Sequence, residues 1–263
     1  MNDYEIRTYP KSRLATFDVG KIGRDKHHIM GLLEVDVSSA MEQIERHRQS
    51  GREIGFTSWI IKAIARTVAD NPHIHAVNGK RRTQVLFKNV DVSLPVEREV
   101  HGVKVPLVAT IRNADAKSID EIHGDIQSFK RQRVESEKDY VLGKREKRRW
   151  SAFFFKLPQW IRLRIWRVIL RNPFSVRRHM GTVMVTNIGF SGNVCGWIVP
   201  KSLHNLVIGL GSISKKPCVR DGELVVGDIL HMTLMIDHDV VDGAPAARFA
   251  AKLVENLENG IGL

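Results

Sequence analysis

The sequence predicts a mixed α/β domain, in which short β-branched runs alternate with segments whose apolar residues fall on one helical face. Two stretches carry that prediction. Residues 84–111 are β-rich, and Ser118 with Glu121 three residues later then forms a capping pattern for a helix reaching at least Arg131. Residues 229–236 read as a strand, and beyond Gly243 the apolar positions Ala247, Phe249, Ala250, Leu253, Val254 and Leu257 recur at helical spacing. A chain of 263 residues suits one large α/β domain, so residues 1–263 are taken together.

In chain order, residues 1–30 begin polar, with a short strand expected over 14–17. Residues 31–37 make the next strand, and Ser38 and Ser39 stand where a helix running to about Gln49 needs a cap. After Gly51 and Gly55, Thr57 or Ser58 starts a strongly apolar helix through Ile60, Ile61, Ile64, Ala65 and Val68, stopped by Asn71 and Pro72. Strands are expected at 85–87, 90–96 and 105–111, with turns near Asn89 and at 101–102. Residues 181–188 form another strand, and an irregular loop over 192–203 holds Trp197 and Pro200. The remaining strands lie at 207–213, around Val219 and at 224–236, with a hairpin turn at 221–222.

The net charge of +12 suits an anionic partner: nucleic acid, an acidic membrane surface, or a polyanion such as coenzyme A. Much of it sits between residues 131 and 180, where the run Lys144, Arg145, Glu146, Lys147, Arg148, Arg149 precedes Trp150 and Phe153, Phe154 and Phe155. Arg162, Arg164, Arg167 and Arg171 follow, interleaved with Trp and aliphatic residues, as in a basic, partly amphipathic helix. The first reading is a helical hairpin packed on the domain or between subunits, its arginines on the solvated side. The second is contact of residues 144–171 with an acidic carrier domain or a membrane. Nucleic acid ranks last, because no recognised nucleic-acid fold accompanies the charge. There is no apolar run of membrane-spanning length and no cleavable leader pattern. Cys195 and Cys218 are too few for a disulfide framework, pointing to a reducing cytoplasm, and the eleven histidines form no metal-ligand cluster, so no metal is expected.

The chemistry concentrates at one junction. His238 ends the strand, Asp242 follows four residues later, and Gly243 and Pro245 turn the chain into a helix. Such a junction can hold an imidazole in one rotamer and one tautomer, as a general base requires, although a short spacing of this kind is more often a solvated turn.

The residues around that junction narrow the choice. Asp237-His238, Asp242-Gly243-Ala244 and then Ala247-Arg248-Phe249 resemble the active-site signature of the dihydrolipoamide acyltransferase (E2) catalytic domain of 2-oxoacid dehydrogenase complexes. The chloramphenicol acetyltransferases share the His-x-x-x-Asp-Gly core. Residues 34–37, 56–72, 102–106 with 111–115, and 181–189 (GTVMVTNIG) resemble the same family in the same order. The resemblance implies an α+β sandwich of the chloramphenicol-acetyltransferase type, a mixed sheet with helices against it and an active site at the interface of a trimer. It implies acyl transfer between a dihydrolipoyl thiol and coenzyme A, with His238 as base, Thr186 as oxyanion donor and Asp242 holding the histidine loop by hydrogen bonds and a salt link. The histidine and the hydroxyl residue would come from neighbouring subunits.

Two features depart from the family pattern. Asp239 stands where the family usually has arginine; it could raise the pKa of His238 or face solvent, with Arg248 a candidate partner. The long basic stretch replaces what is usually a short loop. Nothing in the chain resembles a lipoyl or subunit-binding domain, so the lipoyl group is expected from a separate carrier protein. The tail 260–263 departs from the anchor of the larger E2 cages, which favours a homotrimer. Rival readings are an acyl-CoA-dependent transferase to another hydroxyl or amine acceptor, and a non-catalytic assembly core or adaptor.

Overall fold

The computed structural model describes residues 3–6, 11–100, 103–131, 154, 156–189, 195–220 and 222–263. Its strands are His28–Asp36 (β1), Val77–Asn78 (β2), Gln84–Val85 (β3), Val92–Val100 (β4), Val103–Ile111 (β5), Val183–Asn187 (β6), Leu206–Arg220 (β7) and Glu223–Asp237 (β8). Its helices are Lys11–Ile22 (α1), Ser38–Gln49 (α2), Phe56–Ala69 (α3), Ile119–Arg131 (α4), Gln159–Leu170 (α5), Pro173–Met180 (α6) and Gly243–Glu258 (α7).

A mixed sheet of six strands in the order β1-β8-β7-β6-β4-β5 forms the frame. Strand β6 runs parallel to both β4 and β7, and the other neighbours are antiparallel. The expected mixed sheet with helices packed against it is therefore the observed architecture. The main core lies under α3, whose Trp59, Ile60, Ile61, Ile64 and Val68 are fully buried. A helix apolar on nearly every side must be covered on nearly every side, and α4 and α7 flank it. Ser118 and Glu121 form the expected reciprocal cap of α4: Ser118 N donates to Glu121 Oε2 at 2.7 Å and Glu121 N to Ser118 Oγ at 3.2 Å. Helix α7 buries Phe249, Leu253 and Leu257, while Ala247 faces solvent.

Strands β7 and β8 pair along almost their whole length, and only their inner halves are buried on both faces. Two β7 glycines admit the 195–200 loop onto the sheet. A Cβ at Gly209 would stand 2.8 Å from Ile198 O, and one at Gly211 would stand 2.2 Å from Gly196 O. The loop is pinned there by Trp197, whose indole N–H donates to Leu33 O at 2.9 Å.

Three expectations need correction. Residues 14–17 are helical, within α1, because Asp18 on that helix receives a guanidinium from α5 and tertiary pairing overrides local β propensity. Strand β3 stops at Val85: Phe87 turns inward against Val77 and Val176, and its carbonyl bonds His75 Nε2 at 3.2 Å instead of a ladder partner. Arg162 is not on the solvated side of α5 but buried, with Nε and Nη2 on the Asp18 carboxylate at 2.7 and 3.0 Å. The run 144–150, Phe153, Phe155, the turn at 101–102 and Asp221 lie outside the described residues.

Candidate active site

The turn after β8 carries His238, and it is fastened through its backbone. His238 N donates to His27 O at 2.9 Å, and Val240 N and Val241 N fold back onto Asp237 O at 3.0 and 3.1 Å. The short β2–β3 ladder adds two side chains: Asn78 Nδ2 reaches Asp239 O at 3.2 Å and Gln84 Nε2 reaches Val240 O at 2.9 Å. Asp237, almost fully buried, accepts Lys26 Nζ at 2.7 Å, and the same ammonium reaches Asn205 Oδ1 at 2.5 Å. A buried carboxylate needs such a partner, and this one ties the end of β8 to the segment before β1. The His238 side chain is exposed and makes no hydrogen bond among the described residues.

Among the described residues, Asp239 pairs with neither His238 nor Arg248. Its carboxylate accepts His27 Nδ1 at 2.9 Å in an exposed pair, which raises the His27 pKa, first through the hydrogen bond and then through the negative charge. Asp242 is the N-cap residue of α7, yet its exposed side chain makes no capping hydrogen bond. Within one chain, the link expected to hold the histidine loop is made by Lys26, His27, Asn78 and Gln84 instead.

Thr186 sits inside β6 and is 8% exposed, with no hydrogen bond to its hydroxyl among the described residues. Next to it, Asn187 Oδ1 accepts Gly189 N at 3.0 Å, and Asn187 Nδ2 approaches Thr57 Oγ1 at 3.3 Å. The strand register fixes how far Thr186 is from His238. Thr186 pairs across β7 Gly209 to β8 Thr233. His238 lies five residues beyond Thr233 and two strands over, roughly 20 Å away at about 3.3 Å per residue and 4.8 Å per strand. The two candidate groups thus stand far apart on the sheet, and one chain does not bring them within reach of a common substrate atom.

Sequence reasoning missed Lys26, His27, Asn78, Gln84 and Asn205, since each meets the turn or its neighbour Asp237 from well over a hundred residues or an element away. Among the described residues, no group of three or more His, Cys, Asp or Glu side chains could hold a metal ion.

The model of the 2-oxoacid dehydrogenases acyltransferase (catalytic domain) family matches residues 25–138 and 178–263. The succinyltransferase component of the 2-oxoglutarate dehydrogenase complex of Bartonella vinsonii subsp. berkhoffii is 24% identical over 234 residues, 86% of this chain and 46% of that protein. The acetyltransferase component of the pyruvate dehydrogenase complex of Bacillus subtilis (strain 168) is 25% identical over 228 residues, 83% of this chain and 42% of that protein. The chain thus spans less than half the length of either curated relative. A probable dihydrolipoamide acetyltransferase from Listeria monocytogenes has the same fold, with a TM-score of 0.67 and 20% identity over 98% of this chain and 95% of that one. The Azotobacter vinelandii dihydrolipoamide acetyltransferase, studied for the catalytic roles of a serine, a histidine and an asparagine, aligns at a TM-score of 0.65 and 19% identity over 98% of this chain and 93% of that one. With most of the sequence inside the family model and His238 at its expected strand-to-helix turn, the chain belongs to the acyltransferase catalytic-domain family of the 2-oxoacid dehydrogenases.

Proposed function

We propose that this chain moves an acyl group between a dihydrolipoyl thiol, carried by a separate protein, and coenzyme A, in a homotrimer whose active sites join His238 of one subunit to Thr186 of the next. The observation that carries the reading is a pair of unengaged groups too far apart on one sheet to share a substrate: an exposed imidazole on a rigid turn and a hydroxyl with no hydrogen bond among the described residues. A second copy supplies the missing half of each site. The interval from serine to histidine to asparagine in the Azotobacter enzyme equals that from Thr186 to His238 to Asp242 here, which supports these roles. The edge strand β1, paired to β8 beside the turn, leaves Met30 and Leu32 exposed on one face, apolar side chains suited to a subunit contact.

In this mechanism neutral His238 takes the proton of the attacking thiol, whose sulfur adds to the thioester carbonyl. The Thr186 hydroxyl donates to the oxyanion of the tetrahedral intermediate. Collapse expels the other thiolate, which recovers the proton from the imidazolium. In this reading Asp242, exposed at the start of α7, meets a group of the neighbouring subunit; its exposure and lack of a capping bond support that. The two free thiols suit a cytoplasmic setting.

Complementation tests both halves at once. His238→Ala and Thr186→Ala proteins should each be inactive in acetyl exchange between acetyl-CoA and dihydrolipoamide. Co-assembled in equal amounts they should regain about a quarter of wild-type activity, because each mixed trimer restores one of its three sites. No recovery from verified mixed trimers would overturn the shared site. Exchange that survives His238→Ala would overturn the mechanism.

A further inference from the structure

Helix α5 faces the rest of the chain on one side, and a buried ion pair fixes which side. Arg162 directs Nε and Nη2 onto Asp18 of α1 at 2.7 and 3.0 Å, and Nη1 onto Leu157 O at 2.7 Å. Leu163, Trp166 and Leu170 pack beside Ile22, Met180 and Leu203. With the rotation so set, positions 160, 164, 167, 168 and 171 emerge opposite at helical spacing. Trp160 is 68% and Val168 63% exposed, and Arg164, Arg167 and Arg171 are exposed between them. The surface continues onto α6 with Phe174, 67% exposed, and with Arg178 and His179. Neither helix contains Asp or Glu, and Arg167 stands 3.7 Å from Asp25.

We propose that this face rests on an anionic lipid surface, with Arg164, Arg167 and Arg171 at the phosphates and Trp160, Val168 and Phe174 in the boundary below. The charge is complementary to such a surface and uncompensated on its own helices. Its large apolar side chains stand out from the helix, so a rigid partner would need one pocket for each, whereas a bilayer accepts them anywhere. Tryptophan among arginines is the composition the headgroup region favours. Twelve residues extend about 18 Å, short of the hydrocarbon thickness, so the helix lies along the surface. None of the described helices is long and apolar enough to cross a membrane. The proposal does not depend on the acyl-transfer reading.

The test is co-sedimentation of the full chain with vesicles of phosphatidylcholine alone or mixed with phosphatidylglycerol. Binding is expected on the mixed vesicles only, falling as salt rises. At about fivefold per arginine, Arg164→Gln with Arg171→Gln should lower the partition coefficient roughly twenty-five-fold. Trp160→Ala should weaken it at unchanged charge. Arg46→Gln with Arg48→Gln, the same charge loss on α2, should leave binding as it was. All five side chains are exposed, so the variants keep the fold. Equal binding to neutral vesicles, no binding to anionic ones, an equal loss in the α2 variant, no effect of Trp160→Ala, or capture by an acidic carrier domain while vesicles are ignored would each overturn the proposal.

Discussion

The His238 turn and helix α5 are both tied to distant parts of the chain, by opposite means. The turn is held by its amides and carbonyls, through His27 O, Asn78, Gln84 and the buried Lys26–Asp237 pair behind it. Its own side chains at 238 and 242 take no part and stay open. Helix α5 is held by one of its own side chains, the Arg162 fork, which is consumed in setting the outward face. Backbone anchoring keeps a reactive side chain available; side-chain anchoring gives orientation without chemistry. If that contrast holds, perturbing α1, α5 and α6 should change stability while sparing catalysis, and perturbing the candidate site should do the reverse.

The largest expected effect is on the seam between the helical layer and the sheet. His204, against Met180 O, and His75, against Thr182 Oγ1, both have pKa values pushed down to about 4, chiefly by burial. The unfolded chain therefore binds more protons than the folded one between about pH 6.5 and 4. Their contribution is fully present above that window and lost as pH falls through it, by about 3 kcal/mol for each histidine. Denaturant melts from pH 7 to 4 should show this slope, and His204→Gln should flatten it. A slope unchanged by that substitution would remove His204 from the account.

Next in size is the ion pair. Arg162→Ala leaves Asp18 buried and unpaired, which should cost about 3–5 kcal/mol in urea unfolding, whereas Arg162→Met with Asp18→Leu should recover most of that. Turnover by the folded fraction should match wild type in both. A fall in turnover would show that the helical layer reaches the active site, and the contrast would fail.

Thr186→Ala should lower turnover by about a hundredfold or more, and Thr186→Ser should retain most of it. Its unfolding free energy should shift by less than about 1 kcal/mol, because the hydroxyl has no hydrogen bond to lose within the described residues. A large loss of stability with turnover intact would make Thr186 a structural residue.

The contrast also explains what could be read from the sequence. The strand-to-helix turn at His238, the apolar helix α3 and the Ser118–Glu121 cap are written in local spacing, and local spacing located them. The helical state of residues 14–17 was hidden, because it depends on a guanidinium at position 162, and nothing near Asp18 announces that partner. The groups that fasten the His238 turn were hidden for the same reason. His27 precedes an unremarkable strand and meets Asp239 only once β1 pairs with β8. Nor does His-x-x-x-Asp spacing say that Thr186 stands two strands over and five residues along from His238; strand register says it.

The smallest effect is expected at Asp239, where the contrast can be made sharpest. Its carboxylate raises the His27 pKa, so the charged pair is fully formed below about pH 6.5 and fades as pH rises through the raised value. Asp239→Asn keeps an acceptor but removes the charge, so a His27 titration followed by NMR should move back toward an ordinary histidine. Both partners are well exposed, and the turn keeps its bond from His238 N to His27 O. Exchange activity should therefore stay within about fivefold of wild type, with the difference confined to the acidic side of the pH profile. A loss as deep as that of His238→Ala, constant across pH, would place Asp239 in the chemistry itself.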